Sequence, residues 1–117
     1  PKGKSGSRKI LEFFKKGTSI ALMIDQRVSE GVKVNFFNRP AYTTSLPAQL
    51  SKKFECEIVP VYIERIENYF FNISINKPLK FEKTDSIEKI TEKLNNILES
   101  MISKNPNQWI WTHNRWK

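Results

Sequence analysis

Polar side chains follow two apolar runs of this sequence at the points where those runs end. Asp25 and Gln26 come directly after the run over residues 18–24, and Arg65 comes directly after the run over residues 57–64. Ligands of open α/β sheets gather at the carboxyl ends of strands, so these side chains could share one edge. There Arg65 could clamp a phosphate or pair with Asp25. The simpler alternatives are that Asp25 stabilises a turn and that Arg65 is a solvated hairpin arginine.

His113 is the only histidine, so an enzyme that used a histidine base would have to use this residue. No acidic residue lies within five positions of His113 to orient its ring. We therefore expect His113 to have a structural or substrate-orienting role and predict no catalytic base. The surrounding stretch, residues 105–117, also contains all three tryptophans and Arg115. Such an aromatic and cationic segment could stack nucleic-acid bases or lie at a membrane interface.

Phe36 and Phe37 stand in an otherwise polar segment, residues 25–40, which we predict to be a long functional loop. Neighbouring residues of an extended chain point to opposite sides, so the two rings cannot both face one layer of the core. One ring is expected to anchor the loop to the core, while the other lines a pocket or contacts lipid. Plain packing of both rings is the alternative.

The elements that would position these residues alternate between helical and extended patterns. Apolar residues at helical spacing predict three helices, and continuous or alternating apolar residues predict three strands. The helices cover residues 8–16, 43–55 and 86–104, and the strands cover residues 18–24, 57–64 and 69–76, with a hairpin turn over 65–68. This order predicts an α/β fold with a mixed, partly parallel sheet and flanking helices. The first two strands are predicted to be buried, and the first of them on both faces.

Local residue types mark the ends of the helices and the faces of one strand. Ser7, Ser45 and Asp85 are predicted to cap the starts of the three helices. Asn105-Pro106 is predicted to end the last of them. Alternation in the third strand predicts one apolar face and one wet face. The apolar face carries Phe71, Ile73 and Ile75.

Composition narrows the class of function. The chain has 117 residues, a formal net charge of +8 and an isoelectric point of about 9.7. This suits one domain, or a piece of a larger one, that binds nucleic acid, an anionic membrane or an acidic carrier. The longest apolar run, residues 20–24, is too short to span a bilayer. Since phosphate-loop, metal-ligand and nucleophile-elbow motifs are missing from the sequence, no cofactor and no metal are predicted.

The closing residues NPNQWIWTHNRWK resemble the end of the bacterial lipid A biosynthesis acyltransferases, the lauroyl/myristoyl transferase family. That family typically closes its domain with Pro-x-Gln-Trp-x-Trp-x-His-x-Arg-Trp-Lys. The matching residues are Pro106, Gln108, Trp109, Trp111, His113, Arg115, Trp116 and Lys117. Asn114 stands where arginine is common. We expect Trp109 and Trp111 to be largely buried beneath the sheet, with Arg115 and Lys117 available to lipid headgroups.

Three earlier blocks resemble the same family in the same order, so the resemblance covers nearly the whole chain. The matches are Gly17, Asp25 and Gln26 in the first block; Gly31, Val34, Phe36, Phe37, Ala41, Thr43, Pro47, Ala48 and Leu50 in the second; and Pro60 and Arg65 in the third. Asn38 replaces the usual glycine after the two phenylalanines. The third block also resembles the last conserved block of the wider glycerolipid, or lysophospholipid, acyltransferase superfamily.

The resemblance implies transfer of a fatty acyl chain from acyl carrier protein to a hydroxyl of a lipid A precursor. It places this reaction at the cytoplasmic face of the bacterial inner membrane. The family's catalytic His-x4-Asp/Glu motif, in which the acid orients a histidine base, precedes the Asp-Gln block and is not found in this sequence. The resemblance therefore identifies residues 1–117 as a single partial domain, the carboxyl-terminal half of a glycerolipid acyltransferase-like domain, which is expected to be inactive alone.

The partners that the resemblance implies suit the basic charge of the chain. Acyl carrier protein is acidic, the glycolipid acceptor carries phosphates, and the membrane surface is anionic. The substrate-binding residues implied are Asp25, Gln26, Phe36, Phe37, Arg65, His113 and Arg115. One alternative is an acyltransferase that acts on another glycolipid or on a lysophospholipid. A basic nucleic-acid-binding module is the other, but it would explain neither the Asp-Gln strand end nor the Phe-Phe pair, so no nucleic acid is expected.

Overall fold

A computed structural model describes the backbone of residues 3–117 and the side chains from Lys9 onward. These residues form three α-helices, four β-strands and one short 3-10 helix. In chain order they are α1 (Gly3–Lys15), β1 (Val32–Phe36), β2 (Arg39–Thr43), α2 (Leu46–Phe54), β3 (Val61–Glu67), β4 (Phe70–Ile75), α3 (Ile87–Lys104) and the 3-10 helix Pro106–Gln108. The α/β class is confirmed.

The sheet differs from the one that the sequence predicts. Strands β1 and β2 form one antiparallel pair and β3 and β4 form another, and neither pair joins the other within residues 3–117. The partly parallel sheet is therefore not confirmed. Parallel strands need a long crossover, whereas each observed pair is closed by a two-residue turn between neighbours in sequence. Each strand thus pairs with its neighbour in sequence, and not with a distant segment as a parallel sheet requires.

The predicted strand over residues 18–24 is wrong, because this segment has no strand partner among the described residues. It runs without regular structure, and its side chains alternate in exposure. Ile20, Leu22 and Ile24 are half-buried, whereas Met23 is 86% exposed. The segment therefore packs one face against the core and is not buried on both.

The predicted loop over residues 25–40 is wrong in its second half, which contains β1, a tight turn and the start of β2. Phe37 and Asn38 form this turn, with φ angles of 48° and 58°. Two consecutive residues with positive φ are typical of the type I′ turn, whose twist matches that of the flanking strands. Asparagine adopts the left-handed region more readily than other non-glycine residues. This explains how Asn38 can replace a glycine.

The predicted strand over 57–64 and its hairpin are present with shifted bounds. The strand begins at Val61, the turn lies at Asn68 and Tyr69, and a bulge falls between Arg65 and Glu67. Before the strand, Ile58 forms an isolated antiparallel bridge with Leu79. The prediction that this strand is buried is wrong, because its apolar residues are largely exposed. Within the described chain these two strands pair only with each other.

All three predicted helices are present, but their first residues and caps differ from the predicted ones. The first begins at Gly3, before the predicted cap Ser7, whose side chain lies outside the described residues. Ser45 precedes α2 but accepts no capping hydrogen bond. Ser86, and not Asp85, caps α3: its hydroxyl accepts from the Lys89 N–H at 3.1 Å. The Asp85 carboxylate instead accepts from the Glu82 N–H and binds the Lys89 ammonium.

Helix α3 is the centre of the core and contacts two apolar clusters. Near its start, Ile90 and Leu94 pack on Ala48 of α2, with Ile24 at the edge of the cluster. Near its end, Ile102 packs on Phe36 and Ala41 of the β1–β2 hairpin. Asn105 ends the helix as predicted. No helix within residues 3–117 is both long enough and apolar enough to cross a bilayer.

Candidate functional site

The closing segment, residues 105–117, is attached to the β1–β2 hairpin by a buried arginine. Arg115 is fully buried, and its guanidinium donates to the Tyr42 carbonyl at 2.5 Å and to the Thr43 hydroxyl at 2.6 Å. The guanidinium also lies 5.1 Å from the centre of the Phe36 ring, a cation–π distance. Arg115 therefore forms an internal clasp between the closing segment and the hairpin.

A buried polar network extends from this clasp into α3. The Thr43 hydroxyl lies 3.2 Å from Asn95 Nδ2, and the same amide nitrogen donates to the Asn35 carbonyl at 2.7 Å. Thr43 and Asn95 are both almost completely buried. The network joins the closing segment, the hairpin and α3 through hydrogen bonds, since a buried polar group without a partner is costly.

The charge of Arg115 is only partly compensated. Burial lowers the pKa of the Arg115 guanidinium, because desolvation disfavours the charged form, while the negative charge of Asp25 opposes this shift. Its Nε atom is buried and has no hydrogen-bond partner among the described residues. Asp25 therefore lies near enough to Arg115 for its negative charge to act on that guanidinium. No salt bridge joins Asp25 to Arg65 among the described residues.

His113 also contacts the segment that follows the first apolar run. Its Nε2 atom accepts a hydrogen bond from the backbone N–H of Arg27 at 3.3 Å. In this geometry Nε2 is the acceptor nitrogen of the ring. The lone pair that a histidine base would use is already engaged by the backbone. The neighbouring Gln26 is exposed.

Aromatic residues pack around Phe36, which is completely buried. Its ring centre lies 4.9 Å from that of Phe37, 5.8 Å from that of Trp109 and 5.6 Å from that of Trp116. The Trp116 indole donates to the Phe36 carbonyl at 2.9 Å. The Phe37 N–H donates to Glu99 Oε1 at 2.7 Å, which ties the hairpin turn to α3. Phe36 is thus the core anchor, and Phe37 packs beside it.

The predicted burial of the two other tryptophans is correct only in part. Trp109 is half-buried, whereas Trp111 is 53% exposed and stacks edge-on against Trp109 at 4.6 Å. The Trp111 indole donates to the Pro106 carbonyl at 2.7 Å. Trp111 therefore closes the turn of its own segment and leaves much of its surface to solvent.

Arg65 is attached to the closing segment at a different point. The Gln108 side chain accepts from the Arg65 N–H at 2.8 Å and donates to the Arg65 carbonyl at 2.8 Å. The Arg65 guanidinium is exposed and lies 5.3 Å from the centre of the Phe71 ring. No salt bridge joins Arg65 to Asp25, and both are described residues. The closing segment therefore contacts both the Arg65 region, through Gln108, and the segment after Asp25, through His113.

A comparison with protein families matches residues 2–117 to the family described as bacterial lipid A biosynthesis acyltransferase. The chain belongs to this family. A search of curated proteins found no match. The matched range includes all the site residues discussed above. The reaction of this family is acyl transfer in lipid A biosynthesis.

The closing motif of this acyltransferase family member has a structural explanation. Arg115 clasps the hairpin, Gln108 holds β3, Trp116 binds the Phe36 carbonyl, and His113 holds the Arg27 backbone. Asn114, which stands where arginine is common in the family, accepts from the Trp116 N–H at 3.2 Å and supports a local turn. These motif side chains join separate parts of the chain through backbone groups.

Sequence reasoning missed Asn95 and Glu99 as partners of the site. Both lie on α3 and bond to the β1–β2 hairpin. Asn95 directly follows Leu94 of the apolar helical stripe, and a polar residue beside a buried stripe is a signal that could have identified it.

Two surface cavities are present among the described residues. One, of about 420 Å³, is lined by Lys33, Asn35, Lys89 and neighbouring residues. The other, of about 350 Å³, is lined by Lys52, Cys56, Lys83 and neighbouring residues. Neither includes a predicted substrate-binding residue. Within the described residues no three His, Cys, Asp or Glu side chains are grouped closely enough to hold a metal ion.

Proposed function

We propose that this chain supplies the carboxyl-terminal part of an acyltransferase site that transfers a fatty acyl chain from acyl carrier protein to a lipid A precursor. The family match over residues 2–117 is the observation that carries this proposal. In the reaction the acyl thioester is broken, an ester forms with a sugar hydroxyl, the hydroxyl proton goes to a base, and the carrier thiol is released.

In this proposal the base lies outside residues 1–117, in a His-x4-Asp/Glu motif. The hydrogen bond that engages His113 Nε2 supports this division, because His113 is the only histidine of the chain. The chain alone is then inactive. Asp25, Gln26 and Arg65 contribute to acceptor binding beside the closing segment, and Phe36 and Phe37 support the wall of that region.

The net charge of +8 supports the proposed partners. Acyl carrier protein, the phosphorylated glycolipid and an anionic membrane surface are all attracted to a basic protein. We propose that the protein works at the cytoplasmic face of the bacterial inner membrane, where these three partners meet.

The test is an acylation assay of the complete gene product with acyl carrier protein donors and a lipid A precursor, followed by mass spectrometry of the lipid. The expected result is a mass increase of one acyl group. Asp25→Ala and Arg65→Ala are expected to reduce the rate, while Met23→Ala, at an exposed site, serves as the control. Unchanged rates for both variants would remove these residues from the site, and acylation of a different lipid only would replace the acceptor.

A further inference from the structure

The segment over residues 19–27 lies between α1 and β1 and has no helix or strand of its own. Within the described chain, one hydrogen bond attaches this segment to another part of the protein. It runs from the Arg27 N–H to His113 Nε2 at 3.3 Å. The polar attachment of the whole segment therefore depends on a single side chain of the closing segment.

An apolar attachment lies just before the Asp-Gln pair of the same segment. Ile24 is half-buried and packs at the edge of the apolar cluster near the start of α3. Asp25 and Gln26 therefore lie between this apolar attachment and the hydrogen bond of Arg27. The Asp25 carboxylate is half-buried, and no group of the described residues forms a hydrogen bond or a salt bridge with it. Its oxygens are thus free to accept from a hydroxyl.

The closing segment fixes the ring that accepts this bond. The His113 N–H donates to the Ile110 carbonyl at 3.4 Å, and Arg115, two residues further on, binds the β1–β2 hairpin. The position of His113 is therefore set from both sides along the chain.

The geometry of the peptide group explains how the bond acts on the Asp-Gln pair. The Arg27 N–H belongs to the peptide group that joins Gln26 to Arg27, and this group is planar. A bond that fixes the direction of the N–H also fixes the ψ angle of Gln26. His113 is exposed, and surface substitutions usually change the free energy of unfolding little. The bond is thus better suited to orient the segment than to stabilise the fold.

We propose that His113 is a positioning residue of the acceptor site, which holds Asp25 and Gln26 in the orientation that binds an acceptor hydroxyl. This rests on the proposed function, in which these two residues bind the acceptor. His113 acts through the Arg27 backbone and does not itself contact the substrate. Without the bond, the segment must be ordered each time the acceptor binds, and this ordering reduces the affinity.

The test is an acylation assay of the complete gene product at varied acceptor concentration. His113→Leu removes the accepting atom, and the KM for the acceptor is expected to rise about two- to tenfold, the range of one hydrogen bond. The kcat is expected to stay within about twofold, because binding and not the chemical step is changed. His113→Gln places a side-chain oxygen within reach of the Arg27 N–H and is expected to restore most of the native KM.

Two further variants make the test specific. Thr112→Ala changes an exposed neighbour in the same segment and is expected to leave the KM unchanged. The double variant Asp25→Ala/His113→Leu is expected to have a KM within about twofold of that of Asp25→Ala, because residues that act through one another are not additive. Far-UV circular dichroism checks that each variant is folded.

Hydrogen exchange of the same proteins measures the backbone contact without catalysis. The Arg27 amide is expected to exchange at least about fivefold faster in His113→Leu than in the native protein. Exchange in the middle of α3 is expected to stay unchanged, and His113→Gln is expected to restore the protection of Arg27.

Four outcomes would overturn the positioning role. They are an acceptor KM of His113→Leu equal to that of Thr112→Ala, a defect that His113→Gln does not correct, additive effects of the Asp25 and His113 substitutions, and an Arg27 exchange rate that does not depend on His113. A native protein that acylates no lipid A precursor, while Arg27 exchange still depends on His113, rejects the proposed function and the acceptor role together and leaves only the backbone contact.

Discussion

Arg115 is a buried cation whose bonds join the end of the chain to the β1–β2 hairpin. Replacing it with alanine removes one hydrogen bond from the part-buried Tyr42 carbonyl and one from the buried Thr43 hydroxyl. We expect Arg115→Ala to lower the free energy of unfolding by about 2–4 kcal/mol. Urea denaturation measures this change.

The matched controls for this prediction are Lys117→Ala and Arg115→Lys. Lys117 is exposed, so its removal is expected to change stability by less than about 0.5 kcal/mol. Lysine keeps the charge but not the planar fork of donors, and we expect it to restore only part of the stability. Equal stability of Arg115→Ala and Lys117→Ala would show that the clasp does not stabilise the fold.

Asn38 occupies a turn position with a φ of 58°. Glycine adopts this conformation freely, whereas a β-branched residue does so only with strain. We expect Asn38→Gly to leave the unfolding free energy within about 0.5 kcal/mol of the native value. Asn38→Val is expected to lower it by about 1–2 kcal/mol. Thermal denaturation of the two variants distinguishes them, and equal melting temperatures would argue against the turn.

Residue types and motif spacing predict which residues of the closing segment belong to the family's motif, but not which contacts each of them makes. His113 and Arg115 are identified by the motif, yet their roles depend on distant backbone groups, Arg27 N–H and the Tyr42 carbonyl. Those pairings span more than 70 positions. No local pattern contains them, so the burial of Arg115 could not be predicted.

At the scale of secondary-structure elements, the two serines that precede α2 and α3 can be compared directly. The Ser86 hydroxyl accepts from the Lys89 N–H, whereas Ser45 accepts no capping bond. We expect Ser86→Ala to lower the free energy of unfolding by about 1 kcal/mol. Ser45→Ala is expected to have a smaller effect, within about 0.5 kcal/mol. Urea denaturation of both variants tests the difference, and a larger effect at Ser45 would contradict it.

Helices were predicted better than strands for a physical reason. The stripe that defines α3 recurs every three or four residues and needs no partner to be recognised. A strand exists only when another strand bonds to it, and residues 18–24 have an apolar pattern but no partner. The β1–β2 hairpin was missed because its turn uses Phe37-Asn38 in place of the usual Asn-Gly or Asp-Gly.

At the scale of the whole molecule, stability is expected to be uneven. Helix α3 and the β1–β2 hairpin share an apolar cluster and the Asn95 network, whereas β3–β4 is attached mainly by polar contacts at one side. We expect amides of β3 and β4 to exchange with deuterium at least about tenfold faster than those in the middle of α3.

Native-state hydrogen exchange followed by mass spectrometry measures this difference. Equal protection of the hairpin and α3 without vesicles would show that the hairpin is part of one cooperative unit.

Gln108 has a consequence for how the sheet could grow. Its carboxamide offers one donor and one acceptor to Arg65, which is the pair that a peptide group of an adjacent strand would offer. The Gln108 side chain therefore bonds to β3 as one residue of a neighbouring strand would, and it occupies the edge of β3 at that point. Edge-to-edge polymerisation along β3 would first have to displace it, so a single glutamine protects a hairpin whose apolar face and short length otherwise invite fibril formation.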